Sequence, residues 1–182
     1  MQNKFVAAGL ATALALTVSA ALAQDKKADA DSQSFIKTAI QHNYAEIDSG
    51  KLAQQKGKSQ AVRDFGAMMA RDHGDANTKA IPAAKAVGID KPPEGADAMH
   101  QAGYLKLKVL SGDTFDRSYV SAMIKDHEND VKEFQKRTDK PDAVGAFAKD
   151  TLPVLQKHLD EIKKVQAQIT APTTGSGNSM KK

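Results

Sequence analysis

Apolar and small residues recur every three or four positions along most of the chain, which is the spacing of helices that bury one face. The pattern predicts long helices over residues 35–56, 59–87, 115–137 and 142–169, and a short helix over residues 96–110. Segments that contain Gly or Pro separate them. No sustained alternation of apolar and polar residues indicates a strand. We therefore expect an all-α fold, an antiparallel four-helix bundle with a short extra helix between the second and third long helices.

Capping and helix-breaking residues refine these limits. Ser32 or Ser34 could cap the first helix, and Gly88 suits the C-terminal end of the second. Pro82 and Pro153 fall inside predicted long helices. Since proline removes a backbone donor and clashes with the preceding turn, each should bend or break its helix.

The N-terminus has the pattern of an export signal. Residues 1–23 carry one positive charge, Lys4, then a largely apolar run from Phe5 to Leu16, and close with Ala21-Leu22-Ala23, the small-x-small pattern of a signal-peptidase site. This run is too short and too weakly flanked for a lasting membrane span. We therefore expect a cleaved signal peptide and a periplasmic protein, whose peripheral association with the outer membrane would need an envelope partner.

Composition divides the rest of the chain and excludes several functions. Polar residues 24–33 are expected to form a flexible lead-in, residues 34–170 the helical domain, and residues 171–182 a disordered tail. The formal net charge of +4 is spread along the chain without an aromatic platform for bases, so no nucleic-acid partner is expected. Zero Cys excludes disulfides, thiol catalysis and Cys-zinc sites. No nucleophile turn or phosphate loop is present, and no enzyme activity is assumed.

Two segments of the predicted second and third long helices repeat one chemical pattern. Residues 65–73 read FGAMMARDH and residues 119–127 read YVSAMIKDH. Without gaps, Met69, Asp72 and His73 align with Met123, Asp126 and His127. Because Met and His are four positions apart in each segment, their side chains lie on adjacent turns of one helix face.

The other two long helices each add one metal-capable side chain on the apolar stripe, Glu46 on the first and His158 on the last. The expected metal ligands are Glu46, Asp72, His73, Asp126, His127 and His158, with Met69 and Met123 as possible soft ligands. Such a set suits Cu, Zn or Fe, and the sequence does not choose among them.

A structural interpretation competes with this metal site. The same polar side chains could form a buried, hydrogen-bonded layer that only fixes helix register, in a structural or envelope-stress interaction module. The more specific alternative is binding of a transition metal or small ligand in the core. His42 and His100 are interpreted as surface or boundary residues. The oligomeric state is left open.

Four stretches carry a resemblance to a known family: SFIKTAIQHNYAEIDSGKLAQQK, VRDFGAMMARDHGDANTK, LSGDTFDRSYVSAMIKDHENDVKEF and FAKDTLPVLQKHLDEIKK. Over about residues 34–166 the chain resembles the bacterial domain-of-unknown-function family 4142 (DUF4142). The resemblance implies an exported, ferritin-like four-helix bundle, often labelled an outer-membrane protein and without a demonstrated activity.

The repeated segments also resemble a second family, of exported copper-binding bundles whose helices carry Met and paired His. That family has His-His where this chain has Asp-His. Ferritin-like di-iron proteins require Glu-x-x-His on two helices. Ala70 and Ile124 occupy the Glu positions here, so a di-iron oxidase is not expected.

Overall fold

The structure, a computed structural model, describes residues 12–171, with side chains for residues 30–171. Every regular element in that part of the chain is a helix: α1 (Thr12–Lys56), α2 (Gln60–Ala86), α3 (Ala98–Lys108), α4 (Gly112–Gln135) and α5 (Ala143–Thr170). The prediction of an all-α protein, with a short helix between the second and third long ones, is confirmed for these residues. None of the described helices combines the length and apolar character needed to cross a membrane.

Helix α1 begins earlier than the sequence predicted, so residues 24–33, expected as a flexible lead-in, are helical. Extending an existing helix adds one hydrogen bond per residue without a new nucleation cost, and this explains how a polar segment can continue it. Ser32 caps nothing; it lies buried inside α1, and its hydroxyl donates to the Asp142 carboxylate at the start of α5. Residues 1–11 of the expected signal peptide, and the expected tail from residue 172, lie outside the described residues.

Helices α2 and α5 continue through Pro82 and Pro153, so of the expected bend or break the break does not occur. Buried neighbours such as Ala83 and Leu152 anchor the helix beside each proline, and their packing offsets the roughly 3 kcal/mol penalty of an interior proline. The predicted end of α2 is confirmed. Gly88 has a φ of 84°, the left-handed conformation that closes a helix C-terminus.

Helices α1 and α2 form a tight antiparallel pair. Near the start of the described side chains, Gln33 Nε2 donates to the carbonyl oxygen of Val87, 2.7 Å away, just beyond the end of α2. Farther along, Gly50 of α1 meets Gly66 of α2 so closely that a Cβ on Gly66 would lie 2.6 Å from the Gly50 carbonyl oxygen. Only glycine permits the two backbones to approach to this distance.

Two apolar clusters fill the interior. The cluster around Phe147 includes Ile36, Ile40, Ala80, Ala84, Phe134 and Leu155, and the cluster around Phe115 includes Ala53, Val62, Met69, Tyr119, Met123 and Ile162. Between them, each long helix contributes buried polar residues: Asn43 and Glu46, His73 and Asn77, His127 and Asp130, and His158. We call this set the polar layer. Packing of the two apolar clusters fixes the level at which its side chains meet.

Candidate metal centre

Three histidines of the polar layer converge on one point. His73 comes from α2, His127 from α4 and His158 from α5, and none is more than 3% exposed. One ring nitrogen of each lies within 4.8 Å of the other two. Their ring centroids are 5.4–5.6 Å apart. We call these residues the histidine trio.

The trio follows from where each histidine falls on its helix. His73 follows buried Met69 by four residues, and His127 follows buried Met123 by four, so each continues its buried stripe by one turn. His158 lies between buried Leu155 and Ile162 on α5. Once the stripes pack against one another, the three imidazoles meet at one level.

Hydrogen bonds fix the tautomers of His127 and His158. His127 Nδ1 lies 2.9 Å from the main-chain carbonyl oxygen of Met123, which can only accept, so Nδ1 carries the hydrogen. His158 Nε2 donates to an Asp72 carboxylate oxygen 3.0 Å away. Arg71 Nε also donates to that carboxylate, at 2.7 Å. Both imidazoles therefore keep a lone pair on the ring nitrogen opposite the anchored one.

His73 is anchored by α1. Its Nδ1 lies 2.9 Å from Asn43 Oδ1, while the Asn43 amide nitrogen donates to Asn77 Oδ1 at 2.8 Å. With the Asn43 amide in this orientation its oxygen accepts, so the hydrogen of His73 is on Nδ1 and the lone pair on Nε2. All four long helices thus contribute to the trio, three with an imidazole and α1 with the side chain that orients one.

The opposite ring nitrogens are the ones without a partner. Among the described residues, His73 Nε2, His127 Nε2 and His158 Nδ1 are buried and make no hydrogen bond. Three lone pairs therefore converge with no hydrogen between them. Such a set of neutral imidazoles, each oriented through its second nitrogen, is the arrangement that coordinates a transition-metal ion.

The electrostatics keep the trio unprotonated. Burial lowers the pKa of His73 well below its usual value, and the other two histidines lower it further. Burial also lowers the pKa of His127 to about 4. For His158 burial again dominates and lowers the pKa, although the hydrogen bond and charge of Asp72 act in the opposite direction. Neutral imidazole, the form that binds metals, is therefore favoured at neutral pH.

Two of the expected carboxylate ligands lie elsewhere. Glu46 and Asp126 line a cavity of about 480 Å³ between α1, α3 and α4. Neither belongs to the group formed by the trio, in which the ligand atoms lie within 4.8 Å of one another. Burial and the charges of Asp126 and Asp130 raise the pKa of Glu46 well above its usual value, so its neutral form is favoured. Burial and Asp130 also raise the pKa of Asp126.

Asp72 is beside the trio as the partner of His158 rather than as a member of it. Burial opposes its ionisation, but the hydrogen bonds from Arg71 and His158 outweigh burial and hold the pKa of Asp72 below its usual value. Met69 and Met123 are buried in the cluster around Phe115, next to the polar layer. Met123 also supplies the carbonyl oxygen that anchors His127.

The structure brings together a second group of histidines that the sequence interpretation kept apart, as surface or boundary residues. His42, Asp97 and His100 are half-buried, and their potential ligand atoms lie within 4.8 Å of one another. The Asp-x-x-His spacing of Asp97 and His100 is the signal that could have found part of it, because a capping Asp at the start of a helix reaches the third residue of that helix. Asn43 was also missed, since asparagine on an apolar stripe is not a metal-ligand signal.

The chain matches one family over most of its length. The model of the family described as Domain of unknown function (DUF4142) matches residues 17–165. The crystal structure of a DUF305 fragment from Deinococcus radiodurans has a similar fold, with a TM-score of 0.66 at 15% sequence identity, covering 75% of this chain and 95% of that one. No curated protein matches the chain significantly.

Proposed function

This chain belongs to the DUF4142 family, and we propose that it binds one first-row transition-metal ion in its interior. The ligands are His73 Nε2, His127 Nε2 and His158 Nδ1. Two observations carry the proposal: one ring nitrogen of each histidine lies within 4.8 Å of the other two, and, among the described residues, these three buried nitrogens make no hydrogen bond. Each opposite nitrogen is held by a separate group, so the orientation of every ring is set before an ion arrives.

The alternative of a purely stabilising polar layer fits these contacts less well. A layer that serves only stability is expected to pair donors with acceptors, because each buried unpaired polar group costs about 1–3 kcal/mol. Here the three imidazoles point acceptors at one another. A bound cation would satisfy all three acceptors at once.

The donor set narrows the choice of ion. Imidazole nitrogens suit Zn²⁺, Cu²⁺ and Fe²⁺, whereas Ca²⁺ and Mg²⁺ require oxygen ligands. Zn–N bonds of about 2.0–2.1 Å place tetrahedral nitrogens roughly 3.4 Å apart, so ligand atoms now within 4.8 Å of one another need move by only about an ångström. Cu²⁺ and Zn²⁺ are expected to bind more tightly than Fe²⁺. Three protein ligands leave a fourth position open.

The test is metal retention by chelator-stripped full chain incubated separately with Zn²⁺, Cu²⁺ and anaerobic Fe²⁺, gel-filtered and analysed for metal. The parent is expected to retain one ion per chain. Three variants keep the anchoring donor and remove the ligand nitrogen: His73→Asn and His127→Asn mimic Nδ1–H, and His158→Gln mimics Nε2–H. Each is expected to lose most of the retained ion.

Met69→Leu and Met123→Leu are the matched controls. Both change a buried side chain near the trio with little change of volume, and Met123→Leu preserves the carbonyl oxygen that holds His127. Retention equal to that of the parent is expected, because the three imidazole nitrogens hold the ion. A parent that retains none of the three ions, or histidine variants that retain as much as the parent, would contradict the proposal.

We also infer that the four long helices form one antiparallel bundle of the ferritin-like type. Glu128 of α4 pairs with Lys163 of α5 at 3.0 Å, while the ring of Phe134, later in α4, lies 5.8 Å from that of Phe147, early in α5. Partners in this opposite order support antiparallel packing of α4 and α5, as in the α1–α2 pair. An experimental structure with any two sequential long helices parallel would refute this arrangement.

Export to the periplasm is the location we propose, on the sequence pattern of residues 1–23. Peripheral association with the outer membrane would then depend on an envelope partner. Cell fractionation with N-terminal sequencing tests this: a periplasmic chain that starts at Gln24 is expected, and an uncleaved chain in the cytosol would refute it.

A further inference from the structure

Two histidines outside the trio face each other where α1 meets the start of α3. His42 and His100, which we call the outer pair, have ring centroids 4.3 Å apart. We propose that the outer pair, with the carboxylate of Asp97, is a second transition-metal site, open to solvent. Side-chain exposures of 27% for His42 and 18% for His100 contrast with the buried trio.

Each ring of the outer pair is oriented by a carboxylate. His42 Nδ1 lies 3.1 Å from an Asp130 oxygen, and His100 Nδ1 lies 2.9 Å from an Asp97 oxygen. Among the described residues, neither Nε2 has a hydrogen-bond partner. For His42 this repeats the arrangement of His158 with Asp72, in which a carboxylate holds one ring nitrogen and leaves the other for an ion. For His100, the carboxylate of Asp97 lies on the Nδ1 side of the ring, so Nδ1 is the nitrogen that can share an ion with Asp97.

Asp97 is positioned to be the third ligand. One of its oxygens accepts the backbone N–H groups of Met99 and His100 at 2.9 and 3.0 Å, which fixes the carboxylate at the N-terminus of α3. Its potential ligand atom lies within 4.8 Å of those of both histidines. Two imidazoles and a carboxylate are a ligand set that Zn²⁺ accepts.

Charge around the outer pair favours a cation. Asp130 contacts His42 directly, and the charges of Asp97 and Asp126 also act on that ring. The cavity of about 480 Å³ beside His100 has Asp126 on its wall and is open to solvent, although Lys106 and Lys125 also line it. Three carboxylates against two nearby ammonium groups leave the surroundings net negative.

The outer pair, on α1 and α3, is linked to the trio through residues of the polar layer. His42 is adjacent in sequence to Asn43, which anchors His73, and Asp130 lies one turn beyond His127 on α4. The outer site therefore occupies the solvent side of the polar layer. An ion held there should exchange quickly with solvent, whereas an ion in the trio should exchange slowly.

The experiment is equilibrium dialysis of the full chain against Zn²⁺, followed by a timed challenge with a chelator. The parent is expected to bind two ions, one removed rapidly and one slowly. In the double variant His42→Asn/His100→Asn, each asparagine can still donate to its carboxylate, but both imidazole ligands are gone. This variant should lose the rapidly removed ion and keep the slow one. His127→Asn, the reciprocal control, should do the opposite.

Two further measurements distinguish the loss of a ligand from the loss of the folded structure. Asp97→Asn keeps a good helix cap but removes the ligand charge, and should weaken the fast site at least tenfold. In the unmodified protein, Zn²⁺ should protect His42 and His100 from diethylpyrocarbonate, read by peptide mass mapping. Absence of this protection, or a double variant that binds as much Zn²⁺ as the parent, would overturn the outer site. If only the fast ion is found, and His127→Asn leaves binding unchanged, the outer site stands and the proposed function fails.

Discussion

Asp72 connects the buried trio to the surface of the protein. It receives a hydrogen bond from His158 on one side and from the exposed Arg71 on the other. Because the carboxylate accepts the Nε2 hydrogen of His158, it keeps the Nδ1 lone pair directed at the other two histidines. Removing its charge should disturb the site without removing a ligand.

Asp72→Asn is expected to weaken metal binding about 10–100-fold, the usual effect of losing a partner that orients a ligand. An asparagine amide can donate to His158 Nε2, which would move the ring hydrogen to Nδ1 and block the ligand lone pair. The measurement is Zn²⁺ affinity by competition with a chromophoric chelator. Asp75→Asn, an identical charge change at an exposed position of α2, is the control and should leave affinity unchanged. Equal effects of the two variants would show that only long-range charge matters.

The two Asp-His repeats show what a single sequence can reveal about individual residues. His73, His127 and His158 could be identified because each continues an apolar stripe, and burial follows from the stripe. The two aspartates could not be distinguished, because their roles depend on which helix lies beside them. Asp72 meets His158 of α5, whereas Asp126 lines the cavity between α1, α3 and α4. The role of Asn43 in orienting His73 could not be predicted for the same reason, since the two residues meet only after α1 and α2 pack.

Among the helices, the pair α1–α2 depends on the absence of side chains at one crossing point. Gly50 and Gly66 bring the two backbones together, and this contact lies less than three turns from Asn43 and His73. The sequence predicted these helices from their periodicity. It could not predict that α1 extends back through a polar segment, or that α2 tolerates Pro82, because both depend on neighbouring turns and on packing.

Gly66→Ala is expected to destabilise the protein by about 1–3 kcal/mol or more, because the new Cβ would lie 2.6 Å from the Gly50 carbonyl oxygen and 2.8 Å from Ala53 Cβ. Gly74→Ala on the same helix is the matched control, since nothing lies within 4 Å of its added Cβ. That change should stabilise the protein by about 0.5–1 kcal/mol, as alanine favours the helix. Urea unfolding measures both. Similar losses in both variants would mean that the close backbone approach is not required.

Across the whole molecule, the polar layer separates two apolar clusters, so its protonation is coupled to folding. Below a pH of about 6.5 the histidines of the unfolded chain bind protons, whereas burial keeps His127 neutral until about pH 4. Between these pH values the unfolded state therefore binds more protons than the folded state. The contribution of His127 to the stability of the metal-free protein is fully present above pH 6.5 and is lost as the pH falls towards 4. Glu46 acts in the opposite direction: its raised pKa means that the folded state binds the extra proton, so its contribution to stability grows as the pH falls.

Comparing the metal-free parent with metal-free His127→Asn isolates the contribution of His127 to the pH dependence of stability. Between pH 6.5 and 4, the parent should lose about 3 kcal/mol more stability than His127→Asn, which has no ring to protonate at this position. Glu46→Gln, measured by the same urea unfolding series, should shift the pH dependence with the opposite sign, because it removes the proton that the folded state binds. Parallel curves for the parent and His127→Asn would mean that His127 is not held neutral by burial. A lone pair kept free of protons by burial is also what a metal ion requires, so that result would weaken the case for the trio as a metal site.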